Sequence, residues 1–177
     1  HFLHGKSGRM ETRIRQLLKK LGGLSNARTR FLIHVLVLFV SLRGRLNFLN
    51  MERYGIYSEK TYRRHFEEPL EWFMLNRHVI HEYGSGRYVI AADASFYPKS
   101  GKHTPHLGNF WNGCAGKAMQ GLEGHTLAVI DLDLHTAFHL HTQQTPGDLP
   151  DDKTRPQQYV QHIIDHSPEL RQFSPYV

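Results

Sequence analysis

Apolar positions in the first half of the chain recur at helical spacing. Met10, Ile14, Leu17, Leu18 and Leu21 share one face of a stretch over 7–21, and Arg9, Arg13, Arg15, Lys19 and Lys20 take the rest. Gly22-Gly23 stops that helix. Ser25 or Asn26 caps a second, whose run from Phe31 to Leu42 is almost wholly apolar and which ends near Gly44. A third covers Leu46 to about Tyr54 and is closed by Gly55. Ser58 opens a fourth, through Phe66, with Tyr62 and Phe66 four apart on one face. Pro69 opens a fifth, through Glu71, Trp72, Phe73, Leu75 and Val79.

The period changes after the turn signal Gly84-Ser85-Gly86. Arg87 to Ala92 is a short run rich in Val, Ile and Tyr, too short for a helix, and it places Asp93 on or at the end of a buried strand. Residues 97–120 hold four Gly and two Pro with little periodicity, which predicts a long loop. Residues 125–133 and 137–142 read as an antiparallel hairpin turning near Leu134-His135. Gly147 to Thr154 is a polar linker. Pro156 starts a helix with Tyr159, Val160, Ile163 and Ile164 on one face, and Ser167-Pro168 ends it. Pro175-Tyr176-Val177 has the look of a further strand. The expected fold is α+β, with an all-helical domain over 1–83 and a mixed domain over 84–177 built as strand, antiparallel hairpin, helix and the start of a strand.

Charge divides along the same line. Residues 1–90 hold 16 Lys/Arg against 7 Asp/Glu, and residues 91–177 hold 6 against 9, giving +9 and −3. A basic half beside an acidic half fits a polyanion-binding module next to a metal-binding one. The third and fourth helices, with a glycine in the turn between them, have helix-turn-helix form. Lys60, Arg63 and Arg64 on the fourth are the candidate contacts to double-stranded DNA. The single cysteine, Cys114, excludes an internal disulfide framework and fits a reducing, cytoplasmic setting. The apolar run from Phe31 spans 12 residues, short of the roughly 20 that cross a bilayer, so no membrane role is expected. His34 within it reads as a satisfied core histidine.

Asp93 is followed by Lys99 and Lys102 around Ser100-Gly101, and a fixed carboxylate beside cationic loop residues suits a divalent metal with a phosphate. Asp131 and Asp133, two apart, read as solvated acids at a strand end. His139 and His141 share a strand face by alternation, with His135 nearby, but a zinc site needs further ligands in tetrahedral geometry.

Larger blocks around Asp93 carry a family likeness. Ala92-Asp93-Ala94-Ser95-Phe96 and Pro98-Lys99-Ser100-Gly101-Lys102-His103-Thr104 resemble the first catalytic block of bacterial insertion-sequence DDE transposases. The likeness continues through Leu107-Gly108-Asn109-Phe110-Trp111-Asn112-Gly113-Cys114, Gly121-Leu122-Glu123, Ala128-Val129-Ile130-Asp131-Leu132-Asp133 and Gln143-Gln144-Thr145-Pro146. It covers about half of the chain strongly and the N-terminal half more loosely. The resemblance implies an RNase H-like catalytic domain in which Asp93 is the first of three acids holding Mg²⁺ or Mn²⁺. It also implies a bacterial, nucleoid-associated enzyme that cuts and joins DNA at element ends and target sites, working as a homodimer in its full-length form. Two-metal phosphoryl transfer needs several carboxylates around ions about 4 Å apart. The second and third acids of that set are not among these residues, and the chain opens on His1. A catalytically incomplete N-terminal portion is therefore expected. The alternatives are a non-catalytic DNA-binding remnant occupying terminal repeats, or a host nuclease of RNase H-like fold.

Overall fold

A computed structural model describes residues 4–101, 103–149 and 153–175, and the chain divides into two compact units, His1–His78 and Val79–Val177. The fold is α+β. The first unit holds α1 (His4–Leu21), α2 (Asn26–Ser41), α3 (Phe48–Tyr54) and α4 (Glu59–Glu67), while α5 (Trp72–Tyr83) runs across the boundary. Side-chain oxygens of Ser25, Asn47 and Ser58 accept from the backbone N–H of Arg28, Asn50 and Thr61, fixing where α2, α3 and α4 begin. The apolar run of α2 supplies the core, burying Phe31, Leu32, Ile33, Val35 and Leu38 with Leu18, Met51 and Tyr62. Among the described residues no helix is long and apolar enough to cross a membrane.

Two polar devices fasten α2 to the α3–α4 pair, and a glycine makes room for one of them. The buried Arg28 guanidinium donates to the carbonyls of His65 (2.6 Å) and Glu68 (2.9 Å), at the end of α4 where the helix dipole favours a cation. His34, as expected, is satisfied: its Nε2 lies 2.7 Å from the hydroxyl of fully buried Tyr62. Burial pushes the imidazole pKa down and the phenol pKa up, so the phenol keeps its proton and donates to a neutral ring. Gly55, in the turn between α3 and α4, leaves room for that hydroxyl, since a Cβ there would stand 2.0 Å from it.

The second unit is a four-stranded antiparallel sheet with helices against it: β1 (Tyr88–Pro98), β2 (Gly108–Asn112), β3 (Lys117–Asp131), β4 (Thr136–Thr145), α6 (Arg155–Asp165) and α7 (Ser167–Leu170). Every other strand pairs with β3. Odd-numbered positions of β3 from Gly121 to Asp131 are buried, while most of the even ones are half-exposed. Leu127, Val129, Leu140, Phe110, Leu170 and Phe173 make the apolar core of this unit. A capping box closes the start of α6: Thr154 Oγ1 accepts from Gln157 N–H, and the Gln157 side chain accepts from Thr154 N–H.

Several expectations are corrected here. The stretch 97–120 is no single long loop, because β1 extends to Pro98, β2 occupies Gly108–Asn112 and β3 starts at Lys117. Asn112 organises the β2–β3 turn by accepting from the N–H groups of Cys114 and Ala115. β3 ends at Asp131 instead of 133, α5 begins at Trp72 instead of Pro69, and Ser167-Pro168 opens the short α7. Tyr176 and Val177, read as part of a further strand, lie outside the described residues.

Asp131 is not solvated. It is fully buried, and its carboxylate accepts from Ser85 N–H (2.6 Å), Ser85 Oγ–H (2.7 Å), Asp133 N–H (3.0 Å) and Leu134 N–H (2.9 Å). It therefore pins the turn before β1 and the turn after β3 to one point. Exposed Asp133 pairs with Arg87.

Burial opposes ionisation of Asp131, but the donated hydrogen bonds outweigh it and bring the pKa from 3.8 down to about 2. A group whose folded-state pKa is depressed contributes stability above its unfolded pKa and loses it as pH falls toward the folded one. Melting temperature should therefore fall between pH 3.8 and about 2. Asp131→Asn, which presents an amide to N–H donors, should melt lower at neutral pH and show a flatter profile in that window. For the first unit, Gly55→Ala should cost about 1–3 kcal/mol in denaturant titration, the range for an overpacked site.

Candidate functional site

In the first unit, α3, the turn Gly55–Ser58 and α4 place a short basic helix at the surface. Lys60, Arg63 and Arg64 are all exposed on α4, on the side away from buried Tyr62. They are not equivalent. Arg63 pairs with Glu59 one turn back and lies over the Phe48 ring, 4.8 Å from its centroid. Lys60 and Arg64 are the candidate residues more fully available to a polyanion.

In the second unit, Asp93 sits mid-strand in β1, opposite Thr126 of β3, and is exposed. Its charge raises the proton affinity of both His125 and Tyr159. Lys99 is exposed just beyond β1, and Lys102 lies outside the described residues. Asp131, paired with Tyr88, is five positions along the strand from Asp93, about 17 Å at strand rise, so the two acids do not meet. The described residues bring no second carboxylate to Asp93 in a group that could hold a metal.

The polar centre of this unit lies elsewhere, between α6 and the odd face of β3. His125 Nδ1 is 2.8 Å from His162 Nδ1, and His162 Nε2 is 2.8 Å from His141 Nδ1. The His166 ring, at the end of α6, is 4.5 Å from that of His141 and 5.1 Å from that of His162. On the other flank His125 stacks on Tyr159 at 4.7 Å, and the Tyr159 hydroxyl donates to Glu123 at 2.5 Å. Arg155 lies 3.9 Å from the same carboxylate, covers the Phe110 ring at 4.1 Å and donates to the Asn109 carbonyl.

Burial lowers the pKa of His125, His141 and His162. For His162, repulsion from His141, His125 and His166 takes it further, to about 4. At neutral pH these rings are uncharged. Burial also raises the Tyr159 pKa, and the bond to Glu123 adds to it, so the phenol stays protonated as a donor.

The expected pairing of His139 with His141 on one strand face does not occur. A bulge in β4 sets His139 opposite Ala128 and His141 opposite Leu127, two residues of β4 for each one of β3 at that step. His139 consequently meets Thr142 on the far face, 2.8 Å away, while His141 faces α6. Exposed His135 sits in the turn at φ 50° and is not part of the cluster. His162 and His166, four apart and hence neighbours along α6, were legible as a helical pair, but nothing local joins them to a strand histidine.

No protein-family model matches this sequence, and no curated protein matches it significantly.

Tyr159 is the sole hydroxyl donor to Glu123 among the bonds described, and Glu123 is buried. Tyr159→Phe should therefore lower unfolding free energy by about 1–3 kcal/mol, the cost of stranding a buried acceptor. Denaturant titration measures this, and a change within about 0.5 kcal/mol, typical of surface substitutions, would mean that the carboxylate finds water instead.

Proposed function

We propose that this chain is the DNA-binding and first-acid portion of a DDE-type transposase. In this reading the helical unit grips double-stranded DNA at element ends. The second unit is then the opening part of an RNase H-like domain. The observation that carries the proposal is the pairing of two features in one chain. One is a surface helix with Lys60, Arg63 and Arg64 in a unit of fifteen Lys/Arg against six Asp/Glu over 1–78, a balance of +9. The other is an exposed carboxylate, Asp93, in the middle of a strand that, among the described residues, pairs with β3 alone. The sequence blocks around Asp93 that resemble the transposase signature add support.

Asp93 offers a hard oxygen ligand of the type Mg²⁺ or Mn²⁺ takes, and Lys99, six positions on and about 20 Å away at strand rise, would meet a different phosphate of the same DNA. A bound magnesium would polarise the scissile phosphate and stabilise the leaving oxygen. The described residues bring one such acid to this place, so the remainder of the set would come from outside the described residues. Asp93 then has one task, to present its carboxylate to solvent from a position fixed by the pairing of β1 with β3.

Two outcomes test the reading. The full chain should bind duplex DNA with an affinity that falls steeply as salt rises, because each phosphate contact releases counterions. Replacing Lys60 and Arg64 together with Ala should weaken binding roughly tenfold or more and shallow the salt slope by about two contacts' worth. Arg63→Ala should also weaken it, with a small loss of stability from Phe48 and Glu59. Absence of a low-salt gel shift, or parental affinity in the double variant, overturns the DNA-binding assignment. In a protein that supplies the remaining acids, Asp93→Asn should abolish Mg²⁺-dependent strand cleavage and leave DNA affinity and melting temperature unchanged. Retained cleavage removes Asp93 from the site.

A further inference from the structure

His141 from β4 and His162 and His166 from α6 converge on one point. Each offers a ring nitrogen, and these three atoms lie within 4.8 Å of one another. The ring centroids form a near-equilateral triangle with sides of 5.1, 4.5 and 5.1 Å. We propose that His141, His162 and His166 form a binding site for a borderline transition-metal ion of the Zn²⁺ or Co²⁺ class, closed by a water in the fourth position. This site is separate from Asp93 and does not depend on the DNA-binding reading.

The donor set decides the class of ion. Three imidazoles suit Zn²⁺, Co²⁺, Ni²⁺ or Cu²⁺ and are poor ligands for Mg²⁺ or Ca²⁺, which take oxygen. Three protein ligands with an open fourth position is the arrangement of accessible zinc sites, whereas closed structural sites use four. Burial grades across the triad in the same sense: His162 is fully buried, while His141 and His166 are partly exposed. The open position therefore faces outward.

The geometry needs little adjustment. Two nitrogens on one tetrahedral zinc, each at about 2.05 Å, stand roughly 3.3 Å apart. His162 Nε2 and His141 Nδ1 are 2.8 Å apart, so the ion would open that contact by roughly half an ångström.

The surroundings are those a ligating histidine requires. Such a ring commonly donates its other N–H to a second partner, which fixes its tautomer and orientation. With Nε2 on the metal, His162 keeps its proton on Nδ1 and points it at His125 Nδ1, 2.8 Å away. His125 is held in turn by its stack on Tyr159, and Tyr159 by Glu123. The bulge in β4 is the backbone feature that turns His141 toward this point and His139 away from it.

The test titrates Co²⁺ into the full chain carrying Cys114→Ser, which removes the exposed thiol as a competing ligand. The expected result is an intense visible d–d band of tetrahedral Co²⁺ saturating near one equivalent and displaced by Zn²⁺. Zn²⁺ should raise the melting temperature, since an ion that binds only the folded state stabilises it by mass action. His166→Gln, at the exposed end of α6, should abolish both the band and the thermal shift. His125→Gln should weaken affinity roughly tenfold, and His103→Gln, an exposed histidine elsewhere, should change neither. His141→Gln gives the same readout from the strand side should the His166 variant fold poorly. A weak octahedral-type spectrum, or a tetrahedral band that survives His166→Gln and His141→Gln, overturns the site. Asp93→Asn should leave the band untouched, so a failed transposase reading and a failed metal reading are distinguishable.

Discussion

β3 is the one strand that all three others need, and the second unit depends on keeping it straight and in register. β1 and β4 flank its C-terminal half, while β2 pairs with its first five residues. Such a strand must satisfy two neighbours and still offer one face to a helix. Its odd positions therefore carry buried side chains from Glu123 to Asp131. Gly121 sits where a Cβ would stand 2.5 Å from the Phe96 ring. At the far end, Asp131 ties the strand to the chain entering β1 through Ser85, so a register slip would cost several hydrogen bonds at once.

The helical unit solves a related problem with polar contacts inside an aromatic core. Phe31 stacks on His65 at 4.1 Å and packs against Tyr57 and Tyr62, and Arg28 and His34 supply the directional bonds. Buried polar groups strengthen a structure only when their partners are present, and Arg28, His34 and Tyr62 each have theirs. The consequence for the surface is direct. The inner side of α4 is committed to the core through Tyr62 and His65, which meet His34 and Arg28 of α2, and among the described residues Lys60 and Arg64 stay outside those contacts. Local packing thus decides which basic residues are available to a ligand.

The second and fourth helices were legible because caps and apolar period agree, Ser25 and Ser58 sitting where α2 and α4 begin; the Asn47 cap was not read, and α3 starts at Phe48 instead of Leu46. β2 and the first half of β3 were not. Lys117, Gln120, Gly121 and Gly124 carry little strand preference, and their conformation comes from the pairing itself. Asp131 was misread as solvated because its main partner, Ser85, is 46 residues away in sequence. The pairing of His139 with His141 failed for a subtler reason. Alternation predicts a face only for a regular strand, and one extra residue reverses the parity of all that follows.

The row His125–His162–His141 has a further property. A neutral imidazole carries one N–H and one bare nitrogen, so His162 must donate to one neighbour and accept from the other. The row therefore has a polarity. In one sense the protons sit on Nδ1 of His125, Nε2 of His162 and Nε2 of His141; in the other they sit on Nε2, Nδ1 and Nδ1. No ring can switch alone without setting two lone pairs or two protons face to face. Without an ion the three histidines act as a single two-position element across the sheet–helix seam, whereas an ion held by His162 Nε2 and His141 Nδ1 would take both lone pairs and cut the row at that link.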